Sequence, residues 1–329
     1  MVQYDAVMFM NNTWKLYLWS AFIAVVVPMM IVSILSKSLK PGDTEIEGEM
    51  IEQDSGEEDP VRVSVLMTDG AVGTYEIEEY LVGVVLCEMP ADFEFEALKA
   101  QAVVARTYTL RRQQNDKKHQ QADVCTDSGC CQGYITKEQY IKNGGKQESI
   151  DKIQSAVEET ASQVLYYNGT LIEATYFSCS GGMTENAAAV WGGTVPYLLA
   201  KESPGEEGAA YYTETIQLTT TDFCNKLGRN LEGNPGTWIQ SVTYTDGGGV
   251  DFMRICGVDY KGTELRTMLG LRSTAFIVSI VGNTVTITTK GFGHRVGMSQ
   301  YGADAMAVNG SNYEEILLYY YTGVTLGVY

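Results

Sequence analysis

Hydrophobic and polar positions divide the chain into stretches of unlike character. Leu16 to Leu35 reads LYLWSAFIAVVVPMMIVSIL, an apolar run without a charged side chain. It is about as long as the roughly 20 residues that cross a bilayer as a helix. Trp14 and Trp19 lie near one end, and Lys37 and Lys40 follow the other. Pro28 would kink a soluble helix, but membrane helices tolerate it. A cleaved signal peptide is the other reading; the run is long for one, and no small-x-small site closes it. We therefore expect residues 1–13 as a short cytoplasmic N-terminus and 14–36 as a single transmembrane helix. Flanking charge does not set the orientation, because Lys15 precedes the span while Lys37 and Lys40 follow it. Long domains cross largely regardless of such charges, so an extracytoplasmic C-terminal domain is compatible with these flanks.

Residues 37–60 contain the run DTEIEGEMIEQDSGEED, acidic and without Lys or Arg. It has little to bury and reads as a solvated tether that extends by self-repulsion.

From residue 61 the pattern changes to alternating and helical periods. Val61–Met67 alternates as a strand, Thr68-Asp69-Gly70 signals a turn, and a second strand follows near Thr74–Ile77. Glu78–Glu88 reads as a helix or a buried apolar segment, bounded by Met89-Pro90. Glu94–Arg112 is the clearest helix, Ala-rich, acidic at its start and basic at its end. Residues 113–150 are polar, and Ile153–Thr160 is a short helix. Gln163–Tyr167 and Leu171–Phe177 read as a hairpin around Asn168-Gly169. Ala275–Ile280 and Thr284–Thr289 read as a second hairpin, and Ala303–Val308 and Tyr313–Tyr320 as helices. Strands and helices do not alternate regularly, which predicts an α+β domain over 61–329 with hairpins and an appended lobe over 202–270.

The whole chain has 329 residues, 23 basic and 41 acidic, for a net charge of −18. That balance argues against nucleic acid as a partner.

Several residues in the domain carry chemistry. Glu88 ends the apolar stretch VGVVLC, where desolvation would raise a carboxyl and suit it to general acid work; a helix-terminal Glu reaching solvent is the alternative. Lys99 and Arg106 share a stripe of the Ala-rich helix and invite an anionic or polar partner, or are plain surface cations. The glycine-rich segment from Gly291 to Gly302 packs His294, Gln300 and Tyr301 into a loop that reads as a polar ligand-binding wall. Its spacing fits no phosphate loop. Ser178 and Ser180 suggest a serine nucleophile with His294, but the nucleophile-elbow spacing is missing. His119, Cys125, Cys130 and Cys131 offer four ligands for a closed, structural tetrahedral zinc. A disulfide from Cys125 to Cys130 or Cys131 is the competing reading.

Taken together, three segments resemble the stage II sporulation protein D (SpoIID) family, related to the amidase-enhancer LytB proteins. They are Glu88-Met-Pro-Ala with Glu96-Ala-Leu-Lys-Ala-Gln-Ala-Val-Val-Ala-Arg-Thr-Tyr108, then Ser178-Cys-Ser-Gly-Gly-Met-Thr-Glu185, then Gly293-His-Arg-Val-Gly-Met-Ser-Gln-Tyr-Gly-Ala303. The resemblance implies a lytic transglycosylase that cleaves denuded peptidoglycan glycan strands, those stripped of stem peptides, and leaves 1,6-anhydro ends. It implies a role in engulfment during endospore formation, in the mother-cell engulfing or septal membrane, beside the amidase SpoIIP and the membrane protein SpoIIM. It places the catalytic acid on Glu88 and polar neighbours on Lys99, Arg106, Ser178, Ser180, His294 and Gln300. Clostridial members resemble the Cys patch, some with a His at the position of Cys130, which favours zinc there. A glycan-binding activator of an amidase, without catalysis, is the competing function.

Overall fold

A computed structural model describes residues 60–329 except Asp116. The expected membrane span and acidic tether fall on residues 1–59, outside the described part. Among the described residues no helix is long and apolar enough to cross a membrane. Helices and several small sheets are mixed along the chain.

Strands β1 (Arg62–Leu66) and β2 (Val72–Glu76) pair antiparallel. Helix α1 (Ile77–Glu88) follows at once, and its buried residues run without a gap from Tyr80 to Leu86. A helix apolar on every side belongs in an interior. It stops at Met89, extended at φ −128° and ψ 135°, the backbone a residue before proline prefers. Helix α2 (Phe95–Gln114) lies at the centre. Ala97, Ala100, Ala102 and Ala105 are fully buried, and side chains this small let neighbouring helices pack close.

Strand β3 (Val124–Cys125) joins β1 in parallel, with Leu66 opposite Cys125. Helices α3 (Lys137–Lys142) and α4 (Gln147–Glu159) follow, and α4 packs on α1 and α2. Strand β4 (Gln163–Tyr167) turns through Asn168 (φ 49°) and Gly169 (φ 75°) into β5 (Thr170–Leu171), the left-handed pair a two-residue hairpin needs. The predicted second strand of this hairpin does not run on to residue 177. Ile172 and Ala174 are buried in the core, Glu173 meets Arg111 and Arg112, and β6 (Tyr176–Phe177) pairs instead with Met298–Ser299. Helix α5 (Ala187–Trp191) ends at Gly192, left-handed at φ 80°.

The chain then builds a second hydrophobic core. Its elements are β7 (Thr213–Thr219), α6 (Thr220–Leu227), β8 (Ile239–Tyr244), β9 (Val250–Ile255), β10 (Val258–Lys261), α7 (Gly262–Leu269), β11 (Phe276–Val281) and β12 (Thr284–Lys290). They form sheets of order β7-β12-β11 and β8-β9-β10. Phe223, Trp238, Met253, Leu265, Phe276 and Ile287 fill the space between them. The hairpin β11–β12 thus shares a core with the segment over 202–270. The chain returns to the first core through β13 (Met298–Ser299), α8 (Gln300–Val308), α9 (Tyr313–Tyr320) and β14 (Thr325–Val328), which pairs with β4.

Arg295 ties the cores together. It is buried and sits at φ 66°. Its Nε donates to Ser180 O at 2.9 Å, and Nη2 donates to Met183 O at 2.7 Å and Gly247 O at 2.6 Å. Nearby, Thr245 donates to the buried Glu185 carboxylate, and Asn186 Nδ2 donates to Asp246 at 3.0 Å. The 245–249 turn of the second core is thereby anchored to the first.

Candidate active site

Glu88 closes α1 and lines a cleft of about 430 Å³ together with Tyr108, Arg112, Glu173, Tyr176 and His294. Burial pushes its carboxyl above the ordinary range, opposed by hydrogen bonds from Gly133 N–H and the Gln300 side chain. A carboxylate at a helix C-terminus also meets the negative end of the helix dipole, which favours the protonated form further. Gly133 donates its N–H to Glu88 Oε1. A Cβ on Gly133 would stand 2.9 Å from that oxygen and 2.9 Å from Cys87 Sγ, so only glycine allows this approach. Cys87 itself is exposed.

Behind the acid lies a layer of buried amides. Gln300 Nε2 reaches Gln101 Oε1 at 3.5 Å. Gln132 Nε2 donates to Thr109 Oγ1 at 2.9 Å, and its Oε1 accepts from Tyr176 OH at 3.2 Å. These bonds hold Tyr176 beside Glu88.

Glu173 is a second carboxylate in the cleft, and it is already engaged. Arg111 Nε lies 3.1 Å from Oε2, Arg112 pairs with Oε1, and the backbone N–H of Glu173 donates to Tyr197 OH.

His294 edges the cleft between Phe177 and Trp191, at ring separations of 5.6 and 5.3 Å. Burial, with the Arg266 charge as a lesser cause, pushes it down to about 4, so it is neutral near pH 7. Its Nδ1 accepts from Val296 N–H at 3.1 Å.

Of the other polar residues singled out in the sequence, Gln300 meets Glu88 and the rest sit away from it. Gln300 supports Glu88 from beneath and is buried. Ser180 is sealed in: its N–H and Oγ donate to Glu206 Oε2 at 2.7 and 2.9 Å. Ser178 holds α8 through its carbonyl, which accepts from Tyr301 N–H at 3.0 Å. Tyr301 packs on Phe93 at 4.9 Å. No Ser180–His294 pair forms, since both are committed to other partners. Lys99 lies between Glu96 and Glu159 at 3.0 and 2.9 Å. Arg106 is buried against Glu78, with Nε–Oε1 at 2.9 Å, and it also donates to Gln163 O and Val157 O. Both cations therefore fasten α2 to its neighbours, and neither lines the Glu88 cleft. Sequence reasoning missed Gln101, Gln132, Glu173, Tyr176 and Trp191; Gln101 stands inside the Glu96–Tyr108 segment and Tyr176 two residues before the Ser178 motif, while the other three have no local signal.

His119, Cys125, Cys130 and Cys131 bring one ligand atom each to within 4.8 Å of one another. Cys130 Sγ and Cys131 Sγ lie 3.5 and 3.6 Å from His119 Nε2, and 4.0 Å from each other. Tetrahedral zinc places such ligand atoms about 3.5–3.8 Å apart, so the donor set and spacing fit a metal. A disulfide needs about 2.05 Å, and all the described cysteines are free. Cys130 and Cys131 also line the Glu88 cleft.

Fold and cleft define a mixed helix-and-strand domain with a cleft that holds Glu88, a carboxyl raised by burial. The family described as "Stage II sporulation protein" matches residues 68–167. Stage II sporulation protein D of Bacillus amyloliquefaciens is 40% identical over 274 residues, 82% of this chain and 79% of that protein. The chain belongs to the SpoIID family. Stage II sporulation protein D of Bacillus subtilis strain 168 is 39% identical over 273 residues, 81% of this chain and 79% of that protein. The "Amidase enhancer" of the same strain is 32% identical over 308 residues, 76% of this chain and 40% of that protein.

Proposed function

We propose that this chain is a lytic transglycosylase that cleaves the MurNAc–GlcNAc bond of denuded peptidoglycan strands, with Glu88 as its acid and base. One observation carries the reading: Glu88 is raised by burial and has few donors, while the other cleft carboxylate, Glu173, is held by two arginines. Glycoside hydrolysis ordinarily needs two working carboxylates. A transglycosylase needs one, because the muramic acid C6 hydroxyl supplies the nucleophile.

Glu88 first gives its proton to the leaving glycosidic oxygen as the bond to the anomeric carbon breaks. The C6 hydroxyl oxygen then bonds to that carbon, and the Glu88 carboxylate takes the hydroxyl proton. The ring closes as a 1,6-anhydro sugar and Glu88 is protonated again. Attack within one sugar gains from proximity. Tyr176, held by Gln132, lines the cleft beside Glu88, and neutral His294 shapes the cleft edge between Phe177 and Trp191.

Zinc is our reading for the His119–Cys131 cluster. Four protein ligands leave no open position, so its contribution is structural. His119, Cys125, Cys130 and Cys131 would hold the loop that leads into Gly133, and so the N–H that meets Glu88. The setting we propose is a single-pass membrane protein with this domain outside the cytoplasm, acting in engulfment beside SpoIIP and SpoIIM.

The likeness to an amidase enhancer favours a second reading. In it the same cleft binds glycan and stimulates an amidase without cutting. Mass spectrometry of denuded strands after incubation with the full chain separates the readings. Ends carrying 1,6-anhydro muramic acid are expected. Reducing ends would make the chain a hydrolase, and uncut strands would leave the binding role.

A further inference from the structure

Trp191 is half-exposed, at 49%. Exposed tryptophan is uncommon unless its face has a use. It is the last residue of α5, and the glycines after it, Gly192 and Gly193, have open space where a side chain would project. Its own ring rests against His294 at 5.3 Å.

Trp191 also lines three neighbouring clefts. The first is the Glu88 cleft. The second, of about 300 Å³, lies along the second core and is lined by Thr245, Asp251, Lys261, Thr263 and Thr274 among others. The third passes Thr263, Arg266 and Thr267 on α7. Their polar groups are hydroxyls and charges of both signs. Such a lining suits a hydroxyl-rich ligand, and its cations Lys261 and Arg266 can meet the lactyl carboxylate that each muramic acid of a denuded strand carries. Pyranose rings have just this character, with hydroxyls at the rim and C–H groups on the face, and the C–H face lies flat on an indole.

We propose that Trp191 is the stacking surface of a sugar subsite, and that the groove runs from Glu88 over Trp191 to the α7 edge of the second core. This inference rests on the glycan-strand reading of the Glu88 cleft and adds where the strand goes beyond it. One strand then touches both cores, which explains why the seam between them is fixed by Arg295. Trp191 is a binding residue here; the acid chemistry stays with Glu88.

The test measures binding without cleavage. In the full chain carrying Glu88→Gln, the affinity for denuded glycan strands is measured by calorimetry with Trp191, Trp191→Phe and Trp191→Ala. Trp191→Ala is expected to weaken binding about tenfold or more, as for interfacial aromatic anchors. Trp191→Phe should restore most of it, with melting temperatures unchanged throughout. In the active chain, Trp191→Ala should raise KM by a larger factor than it lowers kcat, and Trp191→Phe should return KM most of the way. Affinity within twofold in Trp191→Ala, or no binding by the Trp191 form, would overturn the subsite. Trp191-dependent binding in a chain that cuts nothing would sink the cleavage reading alone. Cleavage with KM indifferent to Trp191 would sink the subsite alone.

Discussion

Glu88 and Glu206 are both carboxylates inside the first core's surroundings, and they are treated in opposite ways. Glu206 is buried and accepts from Ser180 N–H and Oγ, Gly181 N–H, Cys179 Sγ and Ser203 Oγ. Four of these donors converge on Oε2 and Ser203 Oγ meets Oε1, and the donors around it would be orphaned without it. Glu88 lines an open cleft, accepts from one backbone N–H, and leans on a Gln300 amide that is itself shared with Gln101. The first arrangement fixes the SCSGG loop in place. The second leaves a carboxyl whose proton can move. An acid does chemistry where its oxygens are partly free, and it holds structure where they are fully taken.

Glutamine in each place should break the molecule along different axes. Glu88→Gln should lower the cleavage rate by about 10²–10⁴-fold, the usual share of a general acid, with the fold intact by circular dichroism. Glu206→Gln removes the charge that five donors meet, four of them on Oε2, and should cost about 3 kcal/mol or more of stability, read from denaturant unfolding. If Glu206→Gln were folded and Glu88→Gln were not, the contrast would collapse.

A finer probe is Gly133→Ala. Its Cβ would push on Glu88 Oε1 and Cys87 Sγ, both at 2.9 Å. A shift of the acid by a fraction of an ångström should reduce kcat about 10- to 100-fold, with a small change in melting temperature. Lys99→Ala should do least. Its ion pairs with Glu96 and Glu159 lie at the surface edge, where such pairs contribute about 1 kcal/mol or less, and the cleavage rate should stay within about twofold.

These contrasts track what the sequence could and could not reveal. The place of Glu88 at a helix end was legible because Met89-Pro90 follows an apolar run that closes on it. The His119–Cys131 cluster was legible because its ligands are close in sequence. Lys99 and Arg106 were legible as a stripe that calls for anionic partners, but those partners are carboxylates of the fold outside the Glu88 cleft. α2 is buried almost all round, so a stripe on it finds partners on whichever helix packs there, here Glu159 of α4 and Glu78 of α1. Glu173 looked like mid-strand, yet the ladder breaks there because two arginines from α2 draw its side chain in. The hairpin at Asn168-Gly169 was read from its turn residues, whereas the parallel pairing of β6 with β13 spans more than a hundred residues and leaves no local mark.

The pH behaviour of Glu88 goes to the centre of the account. Its carboxyl is raised in the folded state, so the folded chain holds this proton more tightly than the unfolded chain. Stability from this group is then present at low pH and is lost as pH rises from about 4.3, the unfolded value, through the folded value. Glu88→Gln should remove that slope. The direct measurement is a carbon-13 NMR titration of the Glu88 side-chain carboxyl in the full chain, with its signal identified by loss in Glu88→Gln. The account predicts a midpoint clearly above that of an ordinary glutamate. A midpoint at or below the ordinary value would mean that Glu88 is ionised when it should be donating its proton, and would contradict its role as the acid.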